Sequence, residues 1–490
     1  MPHASVLSPH HLYHVVIIGG GIAGLSTAYA LQERARATGL PLACTLLEAS
    51  QRLGGVIFTE RVDGFVIEAG PDSLLTQKPW GLQLCQRLGI GNRLIGTNDR
   101  QRKIYVLWDG RLHALPEGLM LIVPTRLAPL LRSPLLSWSG KLRMGLEYFL
   151  PPRAPDGDES LAEFVRRRLG REALEKIAEP LLAGIYAGSS REMSLLATFP
   201  RLRELEVTYG GLIRGVLAQR RASQPPASAR HRRANPMFMA PRHGMAEIVQ
   251  ALSAHLDGVT VRLGESVQSV MPRAGGATTS QGYVVRLERA APVHAEAVVF
   301  ATPAYATARL VEGFHPRLAG ALRTIPYVSS ATVSLAYRRT DVPHPLDGFG
   351  VLVGRHERRR IMAATWTSTK FPHRAPPESV LIRSFVGGAG REALVALDDA
   401  ALIRLVCEEL GAILHITAAP NLARVYRWER ANPQYLVGHL GRVDAMEQML
   451  APYPGLFLTG SAYRGVGVPD CVHQGTQTAE RILASHPLLV

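Results

Sequence analysis

Residues 14–31 read HVVIIGGGIAGLSTAYAL, a β-branched run that stops at three glycines and continues in residues that favour helix. This order predicts a strand, a tight turn and a helix. A second strand is predicted at 44–47, and Glu48 follows it directly. Residues 19–24 therefore supply the pattern GxGxxG at a strand-to-helix junction, with an acidic residue downstream. The sequence predicts a Rossmann-like dinucleotide-binding unit.

Each position in this pattern has its own physical reason. Gly19 permits the sharp turn, Gly21 lets the backbone approach a pyrophosphate, and Gly24 lets the helix pack closely on the strand. The amino end of the helix offers N–H groups to the anion, and Glu48 accepts hydrogen bonds from a ribose. We therefore expect phosphates at the turn and an adenosine ribose at Glu48.

A second glycine cluster follows the first. Residues 52–55 read RLGG, residues 63–64 form a predicted hairpin turn, and the returning strand ends at 70–73, which read GPDS. A nicotinamide dehydrogenase needs no second glycine turn beside the first. The arrangement suits a cofactor with a long buried body, and so it favours FAD over NAD.

The composition is that of a folded protein. The 490 residues correspond to about three domains, and 47 % of them are hydrophobic against 19 % charged. A net charge of +15 would ordinarily suggest nucleic acid or an anionic membrane surface, but 50 of the 55 cationic residues are arginine. Zinc-finger spacings and aromatic RNA-binding motifs are absent from the sequence, so we expect no nucleic-acid partner.

The cysteines and the first residues indicate the compartment. Four cysteines lie far apart, without CxxC or a histidine pair at metal spacing, so reduced thiols and no metal site are expected. The first apolar run has no lysine or arginine before it and does not resemble a signal peptide. That run, residues 15–31, is short for a membrane span of about 20 residues and is interrupted by glycines. These features predict a cytoplasmic protein.

The remaining chain predicts two further units. Between 119 and 151 an apolar stretch carries several cations, and two interpretations remain open: helices that cover the core of a helical domain, or a patch on a membrane surface. The predicted elements after residue 81 are a mainly helical stretch at 82–187, a solvated loop at 219–236, strands at 259–263, 283–287 and 297–301, second-sheet strands at 328–336 and 380–386, a helix at 399–415, a strand at 456–460 and a helix at 472–485.

These elements predict an α/β fold in which a discontinuous Rossmann-like FAD-binding domain is combined with a mixed-sheet substrate domain and a helical domain. Both ends of the chain contribute to the cofactor sheet. The FAD-binding domain is expected to comprise three segments, at 13–80, 241–305 and 436–490. Between them we expect a helical and possible membrane-facing domain at 81–200, a linker or insert at 201–240 and the substrate-binding domain at 306–435.

Several motifs together resemble one family. The chain is similar to the flavin-dependent, oxygen-using protoporphyrinogen and coproporphyrinogen III oxidases of haem biosynthesis, in their bacterial branch, within the flavin amine oxidase superfamily. The resemblance covers about residues 14 to 484. The motifs that carry it are GGGIAG at 19–24, RLGG at 52–55, GPDS at 70–73, AGIYAG at 183–188, TWTSTKFPHRAP at 365–376 and GVGVPDCVHQG at 465–475.

The resemblance implies a noncovalent FAD site. Val267 falls where the family's backbone meets adenine, and Val56 stands where eukaryotic members often have Asn, which places a side-chain flavin contact at Val56 in doubt. The implied cofactor-binding residues are Gly19, Gly20, Gly21, Ile22, Ala23, Gly24, Glu48, Arg52, Gly55, Val56, Gly70, Pro71, Asp72, Ser73, Val267, Trp428, Val466, Gly467 and Val468.

The resemblance also implies a tetrapyrrole site. Gly184 falls where the family keeps a small residue against the macrocycle, Trp366 and Phe371 lie in a segment that lines its apolar pocket, and Lys78 stands where a cation often faces a propionate. Each has a plainer explanation, since Gly184, Trp366 and Phe371 could be packing residues and Lys78 a solvated surface lysine.

The implied reaction is the six-electron oxidation of protoporphyrinogen IX or coproporphyrinogen III to the porphyrin through FAD, with oxygen as acceptor and hydrogen peroxide as product. The sequence contains no Ser/His/Asp arrangement, paired carboxylates or metal site that must act, so no catalytic residue is assigned. Two alternatives are kept: an amine oxidase or carotenoid desaturase on the same fold, and a non-catalytic binding protein, against which the intact glycine motifs argue.

The chemistry of the product indicates partners. A free porphyrin is apolar and photoreactive, so transfer to a chelatase or a downstream haem enzyme is expected. The stretch at 119–151 and the net charge of +15 are compatible with peripheral attachment to the inner face of the cell membrane.

Overall fold

A computed structural model describes residues 12–120, 122–154, 157–222, 236–273 and 282–485, which form two large sheets with helices packed around them. The strands are β1 Tyr13–Ile18, β2 Leu42–Glu48, β3 Thr59–Val62, β4 Phe65–Glu68, β5 Leu74–Leu75, β6 Leu94–Gly96, β7 Lys103–Trp108, β8 Arg111–Ala114, β9 Leu119–Met120, β10 Val123–Pro124, β11 Phe238–Pro241, β12 Val259–Leu263, β13 Val267–Pro272, β14 Tyr283–Leu287, β15 Val293–Ala295, β16 Ala297–Phe300, β17 Tyr327–Arg338, β18 Gly348–Val353, β19 Ile361–Trp366, β20 Ser379–Gly387, β21 Leu422–Pro433 and β22 Leu456–Leu458. The α-helices are α1 Ile22–Thr38, α2 Trp80–Arg87, α3 Leu127–Arg132, α4 Trp138–Gly145, α5 Leu161–Arg168, α6 Arg171–Ala173, α7 Glu179–Tyr186, α8 Leu195–Thr198, α9 Pro200–Tyr209, α10 Leu212–Ala222, α11 Ala246–Ala254, α12 Ala304–Val311, α13 Pro316–Arg323, α14 Thr367–Lys370, α15 Asp399–Leu414, α16 His439–Leu450 and α17 Val468–Ala484.

The first predicted strand lies at the centre of a five-stranded parallel sheet with the order β12-β2-β1-β16-β22. Val15 of β1 stands opposite Cys44 of β2 on one side and Ala297 of β16 on the other. The side chains of Val15, Val16 and Ile17 are fully buried, as expected where helices cover both faces of a parallel sheet. The predicted α/β fold, with one sheet built from separate regions of the chain, is confirmed.

The first and last helices pack together beside this sheet because glycines let their backbones approach. A Cβ atom at Gly475 of α17 would lie 2.6 Å from the carbonyl oxygen of Ala23 in α1. A Cβ atom at Gly24 would overlap the carbonyl oxygen of Gly19 in the preceding turn. The first approach sets α17 against the first turn of α1, and the second lets α1 pack against the glycine turn that precedes it.

The second sheet has seven strands in the order β21-β17-β20-β19-β18-β7-β8, and apolar side chains of α15 share its core. Its strands β7 and β8 come from residues 103–114, within the stretch expected to be helical. The hairpin between them turns at Asp109 and Gly110, both of which have positive φ, at 49° and 70°. The stretch expected to be helical therefore contributes two strands to the seven-stranded sheet.

The helical region is built mainly from α3 to α10, and it differs from the predicted boundaries. Residues 201–222, expected to belong to a linker, form most of α9 and all of α10. Leu202, Leu205, Leu212 and Val216 on these helices are buried in the same core as α5 and α7, which explains why the segment folds as helix. The rest of the predicted loop at 219–236 lies largely outside the described residues.

A buried ion pair holds this helical region together. Nε of Arg168 lies 2.8 Å from Oε1 of Glu147, and both side chains are fully buried. The same carboxylate accepts hydrogen bonds from the backbone N–H groups of Leu212, at 2.7 Å, and Ile213, at 3.0 Å. Glu147 thus joins the end of α5 to the amino end of α10, where the helix dipole favours a negative charge.

Replacing Arg168 by methionine should lower the free energy of unfolding by about 3 kcal/mol, because it leaves the Glu147 carboxylate buried without its counter-ion. Urea unfolding followed by circular dichroism would measure the loss. The matched variant Arg171→Met removes an arginine from the exposed pair with Glu175, and it should leave the urea midpoint unchanged. Equal midpoints for the two variants would contradict the structural role of the buried pair.

Candidate cofactor and substrate site

The first glycine turn has the shape of an anion cradle. Gly21 precedes α1, whose amino end has no side-chain cap and no acidic residue in its first turn. A Cβ atom at Gly21 would meet no atom within 4 Å, so the protein itself does not require glycine there. The backbone N–H groups of the turn and the open space beside Gly21 fit the phosphates of a dinucleotide.

Glu48 lies where the dinucleotide motif predicts it, at the end of β2. Its Oε2 accepts a hydrogen bond of 2.7 Å from the backbone N–H of Gly20, and its Oε1 accepts one of 2.8 Å from Ser50. The side chain is half-buried. The carboxylate is therefore held against the first turn, as a ribose-binding residue requires.

The segment from Arg52 to Val56 forms a second wall beside the first turn. The N–H of Gly54 donates to the carbonyl oxygen of Gly20 at 2.8 Å. Arg52 donates from Nη2 to the carbonyl oxygen of Gly55 at 2.6 Å, and from Nη1 to that of Ile57 at 3.3 Å. Arg52 thus shapes the loop from within, while 42 % of Val56 remains exposed on a surface that a cofactor ring could cover.

The carbonyl oxygen of Ala69, before the second glycine turn, accepts three side-chain hydrogen bonds from the seven-stranded sheet. The donors are Thr332 Oγ1 at 3.0 Å, Arg383 Nη2 at 3.1 Å and Trp428 Nε1 at 2.8 Å. A Cβ atom at the next residue, Gly70, would overlap the carbonyl oxygen of Val56. The turn at 70–73 is therefore fixed between the seven-stranded sheet and the loop that contains Val56.

The rest of this turn is held by charge. Lys370 Nζ lies 3.0 Å from Oδ1 and 2.8 Å from Oδ2 of Asp72, and the hydroxyl of Ser73 donates to Oδ1 at 2.6 Å. Burial raises the pKa of Asp72, but the charges of Lys370 and Arg383 outweigh it and hold that pKa well below its usual value. Asp72 is thus an ionised anchor of the turn.

The third glycine turn, Gly465 to Val468, leads into α17, whose first residue is Val468. Oδ2 of Asp470 accepts a hydrogen bond from the N–H of Gly467 at 3.2 Å. Lys78 Nζ lies 2.7 Å from each carboxylate oxygen of Asp470. Lys78 is therefore an ion-pair partner in this structure, and its role opposite a propionate remains a prediction.

Val267 begins the strand that follows β12, and β12 pairs with β2 so that Leu263 stands opposite Glu48; the role of Val267 at the adenine remains a prediction. Val267 pairs with Leu287 of β14. Its side chain is partly buried and packs against the hydrophobic core that includes Val270 and Val285. A cleft of about 190 Å³ lies next to it, past Glu48. The residues that line this cleft are Ala49, Gln51, Gly264, Glu265, Ser266, Glu288 and Arg289.

The predicted substrate residues fall into two groups. Gly184 is exposed near the end of α7, where a Cβ atom would lie 2.9 Å from Cδ2 of Leu352. Trp366 and Phe371 are 0 % and 1 % exposed and belong to two hydrophobic cores. Neither aromatic reaches an open surface, so both are packing residues in this structure, and their place in the lining of a tetrapyrrole pocket remains a prediction.

Reasoning from the sequence missed the side chains that hold the glycine turns. Arg383 lies in the middle of the apolar run VLIRSFV at 380–386, and a lone cation in a predicted buried strand was the available signal. Thr332 gave no signal, because a threonine in a strand needs no special explanation. No group of three or more His, Cys, Asp or Glu side chains in the described ranges could hold a metal ion.

Comparison with known proteins adds independent evidence. The model of the flavin-containing amine oxidoreductase family matches residues 22–483. The chain is 36 % identical to coproporphyrinogen III oxidase of Bacillus subtilis, over 94 % of this chain and 96 % of that protein. It is 32 % identical to bovine protoporphyrinogen oxidase, over 96 % and 99 %. A provisionally named protoporphyrinogen oxidase from Exiguobacterium sp. 255-15 has a similar structure, with a TM-score of 0.82 at 32 % identity, over 97 % and 99 % of the two chains.

The variant Gly21→Ser should lower flavin affinity by about ten-fold or more, where each ten-fold equals 1.4 kcal/mol. Its Cβ and hydroxyl would fill the open space and take up the N–H groups of α1, yet serine is a good amino-terminal cap and should preserve the fold. Fluorescence titration of the flavin-free protein would measure the affinity.

The control is Gly145→Ser at the end of α4, where a Cβ atom also meets no atom within 4 Å and φ is −65°. This variant should keep the wild-type flavin affinity. A wild-type affinity for Gly21→Ser would contradict the placement of the phosphates at the first turn.

Proposed function

Because the chain belongs to the flavin-containing amine oxidoreductase family, we propose that it is a porphyrinogen oxidase of haem biosynthesis whose substrate is coproporphyrinogen III or protoporphyrinogen IX. It is a flavin-dependent oxidoreductase by its family. The observation that carries the proposal is the similarity to coproporphyrinogen III oxidase over 94 % of the chain. The three glycine turns and Glu48 support it, because a long dinucleotide cofactor needs separate loops for its phosphates, its ribose and its ring.

We extend the proposal to FAD as the flavin. When bound, FAD supplies a two-electron acceptor for the oxidation of carbon–hydrogen bonds. The chain itself holds the cofactor with backbone N–H groups at the first turn and with the Glu48 carboxylate at the ribose. The residues proposed to hold it are Gly19 to Gly24, Glu48, Gly55, Val56, Gly70 to Ser73, Val267 and Val466 to Val468, with Arg52 and Trp428 supporting the loops.

The proposal includes noncovalent binding of the flavin. Cys471, the cysteine next to the third turn, is buried, and its Sγ lies 3.9 Å from the carbonyl oxygen of Gly465. Burial raises the pKa of this thiol to about 12, so it stays protonated at neutral pH. Because the thiolate is the reactive form of cysteine, Cys471 is a poor partner for a covalent flavin link.

On the substrate side the protein orients an apolar macrocycle and excludes water. Gly184 is exposed near the end of α7, and 55 % of the neighbouring Ile185 is exposed, which suits an apolar ligand. Lys78 is proposed to face a carboxylate of the substrate, in exchange with Asp470. No general base is assigned. Molecular oxygen is the proposed acceptor: removal of six electrons and six hydrogens reduces three oxygen molecules to three of hydrogen peroxide.

The purified protein, loaded with FAD and kept in air under dim light, should convert a porphyrinogen to its fluorescent porphyrin. Coproporphyrinogen III and protoporphyrinogen IX are offered in parallel, and the faster fluorescence rise identifies the substrate. Removing oxygen should stop the reaction if oxygen is the acceptor. Acid precipitation of the same sample should release the flavin into the supernatant.

The control is Gly21→Ser, whose fluorescence rise should fall together with its flavin content. A bound flavin spectrum without enzyme-dependent fluorescence from either porphyrinogen would contradict the proposal. That result would favour the amine oxidase or desaturase alternative.

We also propose peripheral attachment to the inner face of the cell membrane, through an apolar stripe of Trp138, Leu142, Leu146 and Phe149. These residues follow one face of α4 and the turn after it, and 74 % of Trp138 and 72 % of Phe149 are exposed. Residues 126–149 include four cations, of which Arg126 and Arg132 are exposed, and one acidic residue, the buried Glu147. No described helix is long and apolar enough to cross a bilayer.

The stripe and its cations suit an anionic lipid surface, where the product could pass to a chelatase or a downstream haem enzyme.

When the wild-type protein is sedimented with anionic vesicles at low salt, it should therefore be found in the vesicle pellet. The double variant Leu142→Ser/Leu146→Ser should reduce the partition at least ~ten-fold, because it removes two exposed leucines from the stripe. The control Leu12→Ser/Leu397→Ser, at exposed leucines elsewhere, should sediment like the wild type. Wild-type protein that stays in the supernatant would refute attachment.

A further inference from the structure

The loop at 461–467, between β22 and α17, is held by a tyrosine from another region of the chain. The hydroxyl of Tyr435 donates to the carbonyl oxygen of Ser461 at 2.7 Å and accepts from the N–H of Gly465 at 2.8 Å. One side-chain oxygen therefore bridges the start of this loop and the first residue of the third glycine turn. Gly465 has φ of +133°, and a Cβ atom there would lie 2.6 Å from Cβ of Asp470, so the bridge holds the loop at its most constrained residue.

Tyr435 is itself fixed on both sides. Its ring stacks on His439 with centroids 3.9 Å apart and planes 12° from parallel. Nε2 of His439 lies 2.8 Å from the carbonyl oxygen of Tyr463, in the same loop. The carbonyl oxygen of Tyr435 accepts from the N–H of Ser194 at 2.8 Å. The tyrosine thus connects the loop to the helical region as well as to α16.

The protonation of these two groups follows from their partners. A carbonyl oxygen only accepts, so His439 carries its proton on Nε2, and burial lowers its pKa to about 4. The Tyr435 hydroxyl must donate to one group and accept from another, which only the neutral phenol does. Burial raises the pKa of Tyr435 well above its ordinary value, so the bridge persists throughout the neutral range.

We propose that Tyr435 is a positioning residue for the flavin, whose hydroxyl sets the conformation of the loop at 461–467. The inference rests on the proposed function, in which Val466 to Val468 are among the residues that hold the flavin. Tyr435 acts through the loop and not by touching the reacting atoms. Loss of the Tyr435 hydroxyl should therefore change the environment of the flavin and weaken its binding. The ring, which still stacks on His439, should preserve the surrounding packing.

The test is Tyr435→Phe, which removes the hydroxyl and keeps the ring. The matched control is Tyr337→Phe in the core of the seven-stranded sheet, where the hydroxyl's neighbour is the sulfur of Cys407 at 3.9 Å. Flavin dissociation constants and the visible circular dichroism of the bound flavin are measured for both variants and the wild type. We expect an affinity about ten-fold weaker and an altered dichroism spectrum for Tyr435→Phe, and wild-type values for Tyr337→Phe.

If Tyr435→Phe does not fold, the variant His439→Leu is measured instead. It removes the ring that stacks on Tyr435 and the N–H that donates to the carbonyl oxygen of Tyr463. Its control is His439→Gln, which keeps an N–H donor at this position. Wild-type affinity and dichroism in the first variant that folds would overturn the positioning role. A wild-type protein that binds flavin but oxidises no porphyrinogen would overturn the proposed substrate alone. A wild-type protein that binds no flavin would overturn both.

Discussion

The carbonyl oxygen of Ala69 joins the segment after the β3–β4 hairpin to the seven-stranded sheet, and the position of the second glycine turn depends on it. A carbonyl oxygen has two lone pairs, yet this one lies within hydrogen-bond distance of Thr332 Oγ1, Arg383 Nη2 and Trp428 Nε1. The three donors come from β17, β20 and β21, which are neighbours in the seven-stranded sheet. Because the acceptor immediately precedes Gly70, the position of the second glycine turn is decided by a sheet that is distant in sequence.

Two ion pairs on either side of Ala69 determine how the second glycine turn is placed. Arg374 is fully buried and pairs with Glu68 of β4, whose Oε1 also accepts from the N–H of Met245 at 2.8 Å. Asp72 pairs with Lys370 on the other side of the turn. A buried charge without its partner is costly, so the pairs exclude arrangements in which β4 and the second glycine turn are displaced from the segment at 367–374. Such pairs add little net stability but select one relative position of these segments.

The third turn is positioned by a different mechanism. Gly475 lets α17 approach α1, which sets the distance between the two helices. The ion pair of Asp470 with Lys78 ties the first turn of α17 to the segment after the second glycine turn. The Tyr435 hydroxyl then fixes the loop before the helix. Each turn is therefore held by a group from another region of the chain, so the site forms only when the parallel sheet, the seven-stranded sheet and the helical region have assembled.

The sequence by itself determined the elements whose physics is local. The strand–glycine–helix order at 14–31, the position of Glu48 and the hairpin turn at 63–64 follow from residue pattern and short spacing. The buried-strand patterns at 297–301 and 456–460 predict the assembly of one parallel sheet from distant segments, and this prediction is confirmed. The tertiary structure alone decided the long-range contacts. These are the hydrogen bonds of Arg383 and Trp428 to Ala69, the ion pair of Lys78 with Asp470, the hydrogen bond between Tyr435 and Gly465, the burial of Trp366 and Phe371, and the pairing of residues 103–114 with the seven-stranded sheet. The physical reason is that a hydrogen bond or ion pair between residues far apart in the chain depends on how the sheets and helices pack, and a single sequence carries no periodic signal for that packing.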